Sequence, residues 1–342
     1  MNPYALSMLV SSLSTGTIIT FISNHWFLAW IGLELNTLAI IPIMSKMHHP
    51  RSTEAAIKYF LIQSMASALL LFATTLNAWY TGEWTIINMQ TQTPLLLLLT
   101  ALMIKLAVAP FHMWLPDVIQ GLDLMTCLIL STWQKLAPMT LMIQISEINT
   151  TLLTTLGMLS LLVGGWGGLN QPQLRKMMAY SSIAHLGWMM IVMSYSPNLT
   201  LLNLMVYLLL TTSMFLMMMK MSSTNINKMA SSWMKNLSLT STMIIILMSL
   251  GGLPPLSGFM PKWLILEEII KQNIPLATMA VMSTLLSLFF YLRLSYMTSL
   301  TTPPTTMNSK LMWRLKMKLN MSTMIIMSTM MLPITPLVLN MI

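Results

Sequence analysis

The stretch Leu102-Met-Ile-Lys-Leu-Ala-Val-Ala-Pro-Phe-His-Met-Trp-Leu-Pro-Asp117 sets the terms for any fold this chain can adopt. Its apolar residues belong in lipid, yet it carries Lys105, Pro110, His112 and Pro116. A lysine at mid-bilayer costs about 2.5–3.5 kcal/mol on insertion scales, and a proline inside a helix costs roughly 3 kcal/mol. Carbonyls freed at membrane depth persist only where protein or a water-filled cavity covers them. Two such costs so close together point to a site rather than an anchor. Far downstream, Gly251-Gly-Leu-Pro-Pro-Leu-Ser-Gly-Phe-Met-Pro-Lys262 repeats the combination, with a break at Pro254 and Pro255 and a lysine. Broken apolar segments in both halves of a chain are a sequence pointer to a transport site.

The rest of the chain agrees with a membrane setting. Charged residues make up only 7%, against about 25% in soluble domains. Spans need about 20 mostly apolar residues. Eleven are expected: 3–22, 25–45, 56–79, 94–120 (broken near Pro110), 123–145, 150–169, 176–195, 199–221, 239–271 (broken near Pro254), 275–297 and 321–340. The fold class is all-α integral membrane. The broken segments are the fourth and ninth, so a five-helix unit repeats with its second copy upside down. That gives one transporter-like domain over 1–342, with inverted repeats at roughly 1–147 and 148–298 and a C-terminal helix at 321–340. The stretches 222–238 and 298–320 read as polar loops, the second with an amphipathic surface piece.

The 17 basic residues test this count. With eleven spans, Lys46, Arg51, Lys58, Arg175, Lys176, Lys220, Lys228, Lys235, Lys310, Arg314, Lys316 and Lys318 share the N-terminal side, with Arg293 at a helix end there, and Lys271 stands opposite. Such asymmetry follows the positive-inside rule; the net charge of +9 therefore reads as topology, not nucleic-acid binding. The remaining lysines, Lys105, Lys135 and Lys262, fall inside spans. Methionine, 40 of 342 residues, substitutes readily for other apolar side chains. Packing does not demand so much of it, but a code that reads an isoleucine codon as methionine would supply it. That places synthesis inside a mitochondrion, in keeping with the lack of a basic leader after Met1. The expected location is the mitochondrial inner membrane, with the N-terminus in the matrix and the C-terminus in the intermembrane space. The single Cys127 excludes an internal disulfide and a multi-cysteine metal centre.

Glu34 sits mid-span, and an isolated carboxylate there would stay neutral. Pairing with Lys105 would lower the burial cost for both; a static structural pair is the plain alternative. Lys135, three residues before Pro138, is also mid-span. A buried lysine becomes able to gain and lose a proton, whereas snorkelling to an interface would make it inert. Lys262 follows Pro261 on the second broken helix. His112 beside the first break and His185 at mid-span are candidate relays, since imidazole titrates near neutrality; buried hydrogen-bonding roles are equally open to them. Asp117 and Asp123 read as loop or cap residues, and Glu267 and Glu268 as a solvated helix end. Three buried lysines and one carboxylate favour protons over sodium, which needs oxygen ligands. No phosphate-binding glycine loop is present, and neither a metal nor another cofactor site is expected.

Taken together, Gly32-Leu-Glu-Leu-Asn36, Lys105 to Gly121, Trp133-Gln-Lys-Leu-Ala-Pro138, Gly164 to Trp188 and Gly251 to Trp263 resemble the antiporter-like, proton-pumping membrane subunits of respiratory NADH:ubiquinone oxidoreductase, complex I. The resemblance implies a proton relay of Glu34, Lys105, Lys135 and Lys262, with Glu34–Lys105 as the ion pair, Lys135 as the connecting lysine and Lys262 as the terminal one. It implies helix breaks at Pro110, Pro254 and Pro255. NADH, FMN, iron–sulfur clusters and ubiquinone would belong to other subunits, with none held here. Expected partners are the other membrane subunits and accessory subunits of the complex, and membrane phospholipids. A freestanding cation/proton antiporter and a structural spacer with inert charges are the alternatives.

Overall fold

The computed structural model describes residues 2–86, 88, 89, 91–145, 150–234, 236–301, 322–330 and 332–334. Among these, regular structure is helical, and strand pairing is confined to two isolated bridges, His25–Thr85 and Gln173–Asn225. Six helices among the described residues are long and apolar enough to cross a membrane, with shorter apolar helices besides. The chain divides into two compact units, Met1–Leu153 and Thr154–Ile342.

In the first unit, α1 (Pro3–Ile22) and α2 (Trp26–Met44) form a hairpin. Gly16 and Gly32 set its closeness: a Cβ on Gly16 would lie 2.9 Å from the Gly32 carbonyl oxygen, and one on Gly32 would lie 2.8 Å from that of Gly16. Small residues let helix backbones approach this way in membranes. α3 (Pro50–Thr81) is longer than the expected 56–79 span, because Pro50 starts it and Gly82, at φ 74°, ends it. His25 and His49 are helix caps, their Nδ1 atoms accepting from the Phe27 and Arg51 amides.

The expected span 94–120 is two helices, α4 (Gln92–Leu106) and α5 (Trp114–Gly121). A proline ring clashes with the carbonyl four residues earlier. Pro110 therefore stops α4 at Leu106, well before the proline itself.

The expected single span 123–145 is also two helices, α6 (Leu124–Ser131) and α7 (Trp133–Ile145). The interruption falls at Thr132 and not at Pro138, which lies inside α7. Thr132 turns its hydroxyl onto the Leu128 carbonyl at 2.7 Å, beside its own amide at 3.0 Å. Such a side-chain bond back to the helix bends it.

The second unit contains α8 (Thr150–Gly168, whose first turn precedes the boundary), α9 (Leu174–Met193), α10 (Pro197–Met221) and α11 (Ile226–Ala230). There follow α12 (Leu237–Gly251), α13 (Phe259–Gln272), α14 (Ile274–Leu300) and α15 (Ser322–Met330). α9 is buried on nearly every side. Its Gly187 meets Gly157 of α8 as closely as Gly16 meets Gly32. Trp188, Ile191, Ile265, Ile269, Ala277 and Ala280 join α9, α13 and α14 in one core.

The expected span 239–271 is broken into α12 and α13, with exposed Pro254 and Pro255 in the link. Gly258 lets this link fold back, since a Cβ there would collide with the Ser249 carbonyl oxygen. α14 continues three residues beyond its expected end at 297, into the stretch read as a polar loop. Of the last expected span, α15 and the short turn Leu332–Ile334 are described. Lys235, Lys310, Arg314, Lys316, Lys318 and the amphipathic piece lie outside the described residues.

Candidate functional site: buried amines at two helix breaks

In the first unit the chain leaves α4 through a left-handed residue, Ala107, at φ 62°. The Ala107 amide bonds the Ile104 carbonyl and the Val108 amide bonds the Met103 carbonyl, at 3.2 and 3.1 Å. This is the Schellman closure, which satisfies carbonyls at a helix end. Trp114 Nε1–H donates to the Ile104 carbonyl at 3.1 Å and pins α5 to the broken end. Lys105 lies in the last turn of α4, where the helix dipole favours a cation. Its side chain is buried, as is that of Lys135 on the first turn of α7. Both line one cavity of about 20 Å³ with Asn36, Tyr59, Gln63 and Gln134. That is room for about one water. Gln134 donates to the Asn36 carbonyl at 3.3 Å, fixing α7 against α2 beside the amines.

Glu34 sits on α2, partly buried, and interacts electrostatically with Lys105. The expected ion pair is not closed. Glu34 Oε2 and Lys105 Nζ each lack a hydrogen-bonding partner among the described residues. The ion pairs among the described residues are Lys58 with Glu54 and Asp117, and Lys271 with Glu267 and Glu268. Lys105 lines the cavity shared with Lys135. His112 is buried in the turn between α4 and α5 and stands outside the lining of that cavity. Asp117 lines a polar cleft of about 250 Å³ with Arg51, Glu54 and Lys58.

The second unit closes its break with the same hydrogen bonds. Gly252, at φ 82°, donates to the Ser249 carbonyl at 3.0 Å, and Leu253 to that of Met248 at 3.3 Å. Lys262 belongs to α13, after the break, yet its Nζ donates to the Leu250 and Gly251 carbonyls at 3.3 and 3.0 Å. Each unit therefore holds an ammonium at the C-terminal end of its broken helix, one from the last turn and one folded back. Lys262 and His185 line a second small cavity, about 10 Å³, with Ser287 and Tyr291. The His185 ring lies 5.4 Å from that of Tyr207, whose hydroxyl bonds Ser182.

Sequence reasoning missed Asn36, Tyr59, Gln63 and Gln134 in the first unit, and Tyr207, Ser287 and Tyr291 in the second. One signal was present. Ser52, Ala55, Tyr59, Gln63, Ala66 and Leu70 recur at helical spacing along the buried face of α3, which places Tyr59 and Gln63 inward.

Fold and site together define a polytopic, antiporter-like membrane protein that buries amines at paired helix breaks. Residues 23–287 match the model of the NADH:quinone oxidoreductase/Mrp antiporter transmembrane family, and residues 288–339 match that of the NADH dehydrogenase subunit 2 C-terminus. The chain belongs to that oxidoreductase/antiporter family. It is 56% identical to NADH-ubiquinone oxidoreductase chain 2 of Salmo salar over 341 residues, 98% of either chain. It is 53% identical to the protein of that name from Xenopus laevis, covering 99% of this chain and all of the relative. Among solved structures, a chain of respiratory complex I from Thermus thermophilus superposes with a TM-score of 0.87 at 25% identity, covering 99% of this chain and 80% of that one. A chain of the Mrp complex from Dietzia shares the fold at a TM-score of 0.75 and 18% identity, over 84% of this chain and 59% of that one.

Proposed function

We infer that this chain is a membrane subunit of the respiratory NADH:ubiquinone oxidoreductase of the mitochondrial inner membrane and that it moves protons. Its similarity over nearly full length to proteins named NADH-ubiquinone oxidoreductase chain 2 supports the membership. Electron transfer from NADH to ubiquinone, with its flavin and iron–sulfur carriers, takes place in other subunits. The basic residues after even-numbered spans support a matrix N-terminus and an intermembrane-space C-terminus. Neighbouring membrane and accessory subunits and phospholipids cover its outer faces.

The observation that carries the proton-handling part is the cavity shared by Lys105 and Lys135. A lysine held away from bulk water becomes a proton carrier. A single water can link two amines in a space of that size. Glu34, near Lys105 but unpaired, adjusts how firmly Lys105 holds its proton. Lys262 plays the corresponding part in the second unit, with His185 and Tyr291 beside it.

The deciding experiment replaces Lys135 with Met and measures protons translocated per NADH oxidised by the assembled enzyme. Assembly should persist and the ratio should fall. An unchanged ratio refutes the relay. Reconstitution of the purified chain alone tests the antiporter alternative: cation exchange driven by a pH gradient, without partners, would favour it.

A further inference from the structure

We propose that a groove between α12 and α14 binds an anionic phospholipid of the bilayer, with its phosphate on Arg293. The groove measures about 640 Å³, and Ile244, Met248, Phe289 and Leu292 form its apolar wall. Arg293 stands in the same lining, about two turns before the C-terminal end of α14 at Leu300. A guanidinium that near the end of a spanning helix reaches the head-group level of a bilayer.

Part of its hydrogen-bonding capacity is used. Nη1 donates to the Leu169 carbonyl at 2.7 Å, just past the end of α8. A guanidinium has five N–H donors, and among the described residues no carboxylate pairs with this one. The unmatched charge and the adjoining apolar groove are complementary to one kind of molecule: a lipid whose acyl chain fills the groove and whose head group carries net negative charge. Guanidinium and phosphate match in a two-pronged hydrogen-bonding geometry. A zwitterionic choline lipid would bring a second cation close to Arg293 and is disfavoured.

Assembled complex in nanodiscs, supplied with phosphatidylglycerol or phosphatidylcholine bearing a photoactivatable acyl chain, tests this directly. Mapping the labelled peptides should show phosphatidylglycerol on segments 244–248 and 289–299 about tenfold above phosphatidylcholine, because both carry the phosphate but only the choline lipid sets a second cation beside Arg293. Arg293→Gln, which removes the charge, should bring the two lipids to equal labelling. Equal labelling of the unaltered complex would overturn the proposal. So would cross-linking of the groove to a neighbouring protein with no lipid adduct. The comparison of head groups needs no variant, so it stands even if Arg293→Gln fails to assemble.

Discussion

Lys262 Nζ lies 3.0 Å from the carbonyl oxygen of Gly251, across the break that separates their two helices. The ammonium stands where the next turn of α12 would otherwise supply an amide donor, so it closes the helix and carries the charge at once. These two roles can be separated. An arginine in its place would keep the cap and the charge but hold its proton at every accessible pH; a methionine would lose both. Lys262→Arg should therefore assemble normally and translocate fewer protons per electron pair. Lys262→Met should also destabilise the subunit by about 1.5–3 kcal/mol, the worth of a charged hydrogen bond. Native electrophoresis, thermal unfolding and proton-to-electron ratios read the difference. An arginine variant that pumps fully would show that Lys262 acts only as a cap.

Glu34 gives a second test, because it stands near Lys105 without bridging to it. Breaking a buried ion pair by removing one partner costs about 3–5 kcal/mol. Here there is no bridge to break, so Glu34→Gln should change stability by less than about 1 kcal/mol while lowering proton translocation. A large loss of assembly with the ratio intact in the surviving enzyme would restore the static-pair view.

The two broken helices were legible because proline and lysine are loud signals in an apolar run. Pro110 fixes the end of α4 at Leu106 through a steric rule that needs no tertiary information. Thr132 is different. Its break rests on one hydroxyl bonding its own helix, and other threonines here make that bond while their helices run on, as Thr211 and Thr242 do. Pro138, the louder residue, is accommodated inside α7. The cavity partners Gln134, Ser287 and Tyr291 were hidden for another reason. Spacing reveals which face of a helix turns inward, but which polar side chains from separate helices converge depends on how those helices pack. The open Glu34–Lys105 geometry was invisible on the same ground, since charge complementarity gives affinity without giving distance.

Gly32 and Gly82 make a matched pair for testing backbone approach against backbone conformation. At Gly32 a Cβ would meet Thr20 Cγ2 at 2.7 Å as well as the Gly16 carbonyl, so alanine must push α1 and α2 apart. Overpacking of this kind costs about 1–3 kcal/mol, and the displacement would carry Glu34, two residues on, with it. At Gly82 nothing among the described residues lies within 4 Å, and the φ of 74° opposes a side chain. Gly82→Ala should cost roughly 1 kcal/mol and leave proton translocation unchanged. Gly32→Ala should reduce both assembly and the proton-to-electron ratio. Equal effects in thermal unfolding and pumping assays would mean that the α1–α2 approach is not critical.

Ala107 supplies the last test, because it holds a left-handed conformation that the second break assigns to Gly252. An L-residue with a Cβ pays about 1–2 kcal/mol there, and Ala107 is fully buried, so nothing on the surface relieves it. Ala107→Gly removes the Cβ and keeps both bonds of the closure, the Ala107 amide to Ile104 and the Val108 amide to Met103. Against that gain stands the greater freedom of glycine in the unfolded chain, about 0.4–1 kcal/mol. The net change should be small and stabilising, within about 1 kcal/mol, with proton translocation intact. Ala107→Val adds a branched side chain to the same strained backbone in a packed site and should lower stability by more than about 2 kcal/mol. It should also disturb Lys105, two residues earlier, and so lower the proton-to-electron ratio. Thermal unfolding of the assembled complex ranks the three residues as glycine, alanine, valine. A ranking with alanine well above glycine would mean that the left-handed turn at Ala107 is not what closes α4.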